Sequence, residues 1–66
     1  MSHWNYRVMD RDGELAIHEV QYDDAGKVVG WSAEPTFPAG PDLDELAANL
    51  ELYAHALAEP VLPYVK

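Results

Sequence analysis

The sequence predicts an α+β fold in which a three-stranded antiparallel meander precedes one amphipathic helix that packs on one face of the sheet. Two observations predict the meander: apolar and polar residues alternate along three stretches, and a glycine-containing turn separates each stretch from the next. A third observation predicts the helix, because leucines recur at helical spacing after a proline-rich loop. The 66 residues suffice for one domain, so residues 1–66 are predicted to form a single unit.

The three strands are predicted at about 4–10, 14–22 and 27–33. The first begins with Trp4 and alternates aromatic or β-branched residues with polar ones, which is typical of a strand. Two acidic turns join the strands. Each ends in glycine, the residue that adopts a positive φ at least cost, so both are predicted to be hairpin turns.

The second predicted strand is apolar on both sides. Successive strand residues point to opposite faces, which places the following apolar residues on both faces: Leu15 and Ile17 on one, and Ala16, Val20 and Tyr22 on the other. One helix covers one face of a three-stranded sheet. The other face is therefore expected to be polar, covered by the C-terminal tail or buried by a partner.

The helix is predicted at about 43–58. Asp42 is placed to cap its first turn, with Glu45 three residues later completing a capping box. Glu59 precedes a proline and is predicted to end the helix. Seven side chains are predicted to form its apolar stripe: Leu43, Leu46, Ala47, Leu50, Tyr53, Ala54 and Leu57.

Two proline-bearing segments flank the helix. The segment 34–41 contains three prolines and is predicted to be an ordered loop, with Phe37 as its anchor in the core. The apolar tail 60–66 leaves two alternatives open, a short C-terminal edge strand or an ordered tail, because proline is tolerated at a sheet edge.

Composition disfavours several classes of function. Twelve acidic residues against four basic ones give a formal charge of −8, which repels nucleic acid and anionic membranes. No apolar run is long enough to span a bilayer, and the first ten residues have no apolar signal region. The chain has no cysteine, which fits a reducing compartment. We therefore expect a cytoplasmic protein without membrane or direct nucleic-acid contacts.

The segment 39–46, Ala-Gly-Pro-Asp-Leu-Asp-Glu-Leu, is followed by Leu50, Tyr53 and Leu57 and preceded by a meander. In this arrangement the chain resembles the N-terminal domain of the HicB antitoxin family, and its strands also resemble a group of small uncharacterised bacterial proteins. The resemblance implies a partial ribonuclease-H-like fold and binding of a toxin protein. The chain stops at Lys66, so the family's C-terminal DNA-binding module is not expected to carry over.

The sequence offers no constellation typical of catalysis. His18 and Glu19 are adjacent on a strand and point to opposite faces, so they are unsuited to act together as acid and base. The three histidines, His3, His18 and His55, lack metal-ligand spacing. We therefore expect a non-enzymatic chain with no catalytic residue, cofactor or metal ion.

The aromatic content favours protein binding, since Trp and Tyr combine large area with one polar group. Five side chains form the predicted interaction surface: Trp4, Tyr6, His18, Tyr22 and Trp31. The leading hypothesis is a protein-interaction module that is a homodimer, paired through the edge of strand one or three, and that binds another protein of basic character.

Two alternatives from other classes stay open. The first is an acidic inhibitor that mimics nucleic acid and occupies a basic groove. Such mimicry needs the acids in one band, whereas they fall mostly in turns and on the helix. The second is a small metal-dependent enzyme, which a metal ion would stabilise against heat.

Overall fold

The computed structural model describes residues 3–65 and confirms the predicted order of elements. The five elements are β1 (His3–Arg11), β2 (Glu14–Tyr22), β3 (Val28–Trp31), α1 (Leu43–Ala56) and β4 (Leu62–Pro63). They form one sheet of order β3-β2-β1-β4 with a single helix, an α+β arrangement. Lys66, the last residue of the predicted tail, lies outside the described residues.

The tail forms a short edge strand, which is one of its two predicted alternatives. β4 pairs in parallel with β1, with Met9 opposite Leu62 and Asp10 opposite Pro63. The other three strands pair antiparallel. β1 therefore lies between β2 and β4 and is not at an edge. Of the two strands predicted to pair with a second copy, β1 and β3, β3 lies at an edge of the sheet.

Local chemistry explains both hairpin turns. At the first, Asp12 and Gly13 have φ of 56° and 88°, and Asp10 Oδ1 accepts the Gly13 N–H at 2.9 Å. At the second, Asp23 Oδ1 accepts the N–H groups of Ala25 and Lys27, each at 2.9 Å. Aspartates thus position both turns, which sets the pairing of the strands that they join.

The register divides the sheet into two faces. Tyr6 lies opposite Glu19 and Val8 opposite Ile17, on the face that the helix covers, here called the helix face. The opposite face, here called the tail face, carries Met9, His18 and Val20, which are all nearly inaccessible to solvent. The core therefore has two small halves, and the helix face adds Tyr53 and Ala56 to Val8.

The rotation of α1 differs from the predicted one. Tyr53 is buried and Leu46 is half-buried, but the other five members of the predicted stripe are exposed. Two other residues complete the sheet-facing line, the buried Ala56 and the half-buried Asn49. Asn49 is accommodated there because both halves of its amide find partners: Oδ1 accepts the Ala39 N–H at 3.1 Å, and Nδ2 donates to the Tyr6 hydroxyl at 3.5 Å.

The loop before the helix is anchored by hydrogen bonds, and the predicted Phe37 anchor is wrong. The Phe37 side chain is 77% exposed. Its neighbour Thr36 holds the loop instead, donating both its N–H and its hydroxyl to the Ile17 carbonyl. The Asp42 cap is present as predicted, since Asp42 Oδ1 accepts the Glu45 N–H at 2.8 Å.

Replacing Gly40 with alanine is expected to destabilise the fold by about 1–3 kcal/mol, because overpacking against backbone forces a shift of the chain. A Cβ at Gly40 would lie 2.8 Å from the Leu46 nitrogen and 3.0 Å from the Glu45 carbonyl carbon. The matched control is Gly30→Ala, whose Cβ would meet only the Gln21 Oε1 atom, at the end of a flexible side chain. Urea unfolding followed by circular dichroism measures both, and equal midpoints for the two variants would contradict the prediction.

Candidate protein-interaction surfaces

The five predicted surface residues divide between the two faces of the sheet. Trp4 and Tyr6 lie on the helix face, because they share the side of β1 that carries Val8. His18, Tyr22 and Trp31 lie on the tail face, since Trp31 pairs with Val20. The structure therefore brings these residues together as two groups and does not unite them in one surface.

On the helix face, aromatic rings stack from the start of β1 to the helix. Trp4 packs edge-on against Tyr6 at 5.3 Å between centroids, and Tyr6 lies 4.4 Å from Tyr53. Tyr53 is buried, whereas Trp4 stays 54% exposed. An open cleft of about 440 Å³ lies beside them, lined by Trp4, Asn5, Tyr6, Leu52, His55 and Glu59. Trp4 thus offers an accessible aromatic surface with a polar rim.

On the tail face, Tyr64 covers the residues that were predicted to meet a partner. Its ring lies 5.5 Å from the His18 ring and 6.0 Å from Trp31, with the Arg11 guanidinium 4.6 Å above it. The Tyr64 hydroxyl donates to the Ala33 carbonyl at 3.2 Å. The sequence pointed to an apolar tail, but nothing in it marked Tyr64 as the residue that closes this face.

The imidazole of His18 is part of the core. The side chain is 1% exposed, and its Nδ1 lies 2.9 Å from the Ser32 carbonyl oxygen. A carbonyl only accepts, so Nδ1 carries the proton and donates it. Ser32 is itself tied to β2, because its hydroxyl accepts the Glu19 N–H at 3.2 Å. His18 therefore links β2 to the end of β3.

Tyr22 is engaged in a polar network at the other end of the tail face. Arg7 Nη1 donates to the Tyr22 hydroxyl at 3.1 Å, and that hydroxyl donates to Asn5 Oδ1 at 2.7 Å. Arg7 Nη2 also donates to the Pro60 carbonyl at 2.7 Å. Arg7 thus connects the start of the tail to the sheet, and the polar group of Tyr22 is satisfied within the chain.

The exposed side of α1 forms a further surface, here called the leucine–alanine stripe. Its three leucines are 82%, 47% and 72% exposed at Leu43, Leu50 and Leu57, and two exposed alanines lie between them. The sequence did indicate this surface, because the seven residues of the predicted apolar stripe include members of both the line that packs on the sheet and the line that is exposed. The five members are Leu43, Ala47, Leu50, Ala54 and Leu57.

The tail face also carries an open groove of about 430 Å³ with charges of both signs. It is lined by Arg11, Asp12, Glu14, Ala16, His18, Glu34 and Pro35. Within residues 3–65, no three His, Asp or Glu side chains lie close enough together to hold a metal ion. In the same part of the chain, no helix has the length and apolar character to cross a membrane.

Burial raises the pKa of Tyr53; a hydrogen bond with Thr36 opposes this shift in part, and the nearby Tyr6 and Glu19 add to it. The folded state therefore holds the phenol proton more tightly than the unfolded state. This contribution to stability is complete below the unfolded pKa of about 10 and is lost as the pH rises through the folded pKa. We expect the free energy of unfolding to fall above about pH 10, and Tyr53→Phe to flatten that fall. Urea midpoints measured across this range provide the test. A fall equally steep in the variant would show that Tyr53 is not its source.

The chain matches no known family model, no curated protein and no solved structure.

Proposed function

We propose that this chain is a non-enzymatic protein-interaction module that acts in the cytoplasm, similar in role to the toxin-binding half of a HicB antitoxin. The observation that carries the proposal is the amount of apolar side chain left uncovered. Among the described residues 3–65, eleven large hydrophobic side chains are at least 37% exposed. Such exposure is typical of surfaces that meet another protein.

The total accessible surface supports the same proposal. It amounts to 4888 Å² for a chain of 7.4 kDa. A monomeric protein of that mass is expected to expose about 4,200 Å². The excess fits a chain whose folding is completed by association.

Self-association through β3 is part of the proposal. β3 is four residues long and lies at the edge of the sheet, where its outer backbone groups are available to a second copy. Each copy carries a formal charge of −8, so two copies repel at low salt. A homodimer of this kind is expected to strengthen as salt screens the repulsion.

Light scattering on the purified chain, from low to high micromolar concentration and at two salt concentrations, measures the dimer. Affinity purification from the native host, followed by reconstitution with the purified partner, measures heterologous binding. A stoichiometric complex that survives gel filtration is the expected result. A strict monomer at every concentration, together with no reconstituted complex, would overturn the proposal.

A further inference from the structure

We propose that the leucine–alanine stripe of α1 docks a basic amphipathic helix of another protein. The inference rests on the proposed interaction function and assigns it a surface and a class of partner. It differs from self-association in both respects, since the dimer is proposed at the β3 edge.

The spacing of the stripe points to a helix as its occupant. Its members follow one another in steps of four, three, four and three residues, from Leu43 to Leu57. This alternation is the seam of a coiled coil, in which each side chain inserts between those of a facing helix. The helical geometry continues to the end of the stripe, because the C-cap Leu57 has φ −71° and ψ −20°. The seam is therefore about 21 Å long.

The alternation of large and small residues gives the stripe a surface of projections and depressions. Leucines project at three positions, and Ala47 and Ala54 leave depressions between them. A facing helix gains contact area when its own large side chains enter these depressions. All five members of the stripe are exposed, because a separate line that includes Leu46, Tyr53 and Ala56 is the one buried in the fold.

Charge favours a basic partner over a second copy at this surface. Asp44 and Glu51 flank the stripe on its solvent side, whereas Leu46 and Tyr53 flank it on the side of the sheet. No Lys or Arg occurs between residues 42 and 59. Two copies joined at the stripe would therefore bring carboxylates together without a cation on either helix. A helix with Lys or Arg beside its apolar seam pairs with these carboxylates and is attracted by the negative charge of the chain.

The probe for the test is a fluorescently labelled three-heptad peptide with Leu at the seam and Lys at the flanking positions. A second peptide with Glu at those positions measures the part played by charge. Two variants of the full chain form a matched pair: Leu50→Asp on the stripe, and Leu52→Asp on another side of the same helix, where Leu52 lines the cleft beside Trp4. Leu50 and Leu52 are 47% and 51% exposed, and both substitutions add one negative charge.

We expect the basic peptide to bind the unmodified chain, and Leu50→Asp to weaken that binding at least about tenfold. Leu52→Asp should leave it within about twofold, because Leu52 lies outside the stripe. A purely electrostatic contact would instead respond equally to the two substitutions. The acidic peptide should bind at least about tenfold more weakly than the basic one. Fluorescence anisotropy gives the affinities, and circular dichroism verifies that both variants fold. If Leu50→Asp does not fold, Leu57→Ser at the exposed helix end replaces it, with the same expected direction.

Equal losses in the two variants, or no binding of the basic peptide, would overturn the assignment. So would light scattering that shows a dimer of the unmodified chain and a monomer of Leu50→Asp, because the stripe would then be a contact between copies. The proposed function survives each of these results if the chain still forms its complex with a natural partner. The proposed function is overturned by a different result, namely that neither a dimer nor a complex with a natural partner forms.

Discussion

Replacing Tyr64 with alanine is expected to lower the free energy of unfolding by about 2–3 kcal/mol, somewhat less than the loss of a fully buried aromatic ring, because Tyr64 is half-buried. The ring contacts three side chains of the tail face, His18, Trp31 and Arg11. The substitution leaves the buried imidazole of His18 next to solvent. Since a 66-residue domain has about 3–10 kcal/mol of stability in total, the variant approaches the limit of folding.

Urea unfolding measures this loss, and tryptophan fluorescence locates it. Trp4 is replaced with Phe in all proteins compared, so that the emission reports Trp31 alone; a red shift is expected when Tyr64 is removed. Tyr64→Phe keeps the ring and loses the hydrogen bond to Ala33, which predicts a smaller cost of about 1 kcal/mol. The exposed neighbour Val65 is the control, and a Val65→Ala variant as unstable as Tyr64→Ala would contradict the assigned role.

Replacing His18 with alanine is expected to cost about 2–4 kcal/mol, through a cavity in the core and the loss of a hydrogen bond. The Ser32 carbonyl loses its imidazole donor, and Met9 and Val20, the other fully buried side chains of this face, lose a buried neighbour on the sheet. The expected result is a lower urea midpoint with an unchanged slope, which marks a loss of stability without a change in the folded structure.

Two further variants separate the causes. His18→Leu restores most of the volume but not the donor, so its remaining cost of about 1–3 kcal/mol measures the unsatisfied carbonyl. His55 lies exposed on α1, and His55→Ala is expected to change stability by less than about 0.5 kcal/mol. If His18→Ala is as stable as His55→Ala, the imidazole is not the core residue that its burial indicates.

Local patterns predicted the parts of the fold that depend on local interactions. The two turns and the Asp42 cap follow from side chains that bond backbone groups within four residues. The strand order β1 to β3 follows from those turns, because short connections make neighbouring antiparallel strands. The rotation of α1 was not predictable in this way. Two apolar lines compete on that helix, and the contact of Tyr53 with Tyr6, 47 positions earlier in the chain, selects between them.

The candidate surfaces also combine features that local sequence patterns predict with features that depend on contacts between distant residues. The alternation along β2 predicted apolar residues on both faces of the sheet, and therefore a cover for the face that the helix does not pack against. That cover, Tyr64, depends on a parallel pairing between β4 and β1 that no local pattern indicates. His18 was predicted to belong to an interaction surface, because the sequence does not show that Tyr64 packs against it. With Tyr64 in place it is buried.

The pairing of β4 with β1 makes the C-terminal segment the part most readily detached by local opening. Two residue pairs form this ladder among the described residues, and Met9 and Leu62 are 53 positions apart, so closing it costs more chain entropy than closing either hairpin. Hydrogen exchange at the Tyr64 amide, which donates to the Asp10 carbonyl, should therefore be faster than in the β1–β2 hairpin. Each opening uncovers His18 and frees the backbone groups of β1 that pair with β4.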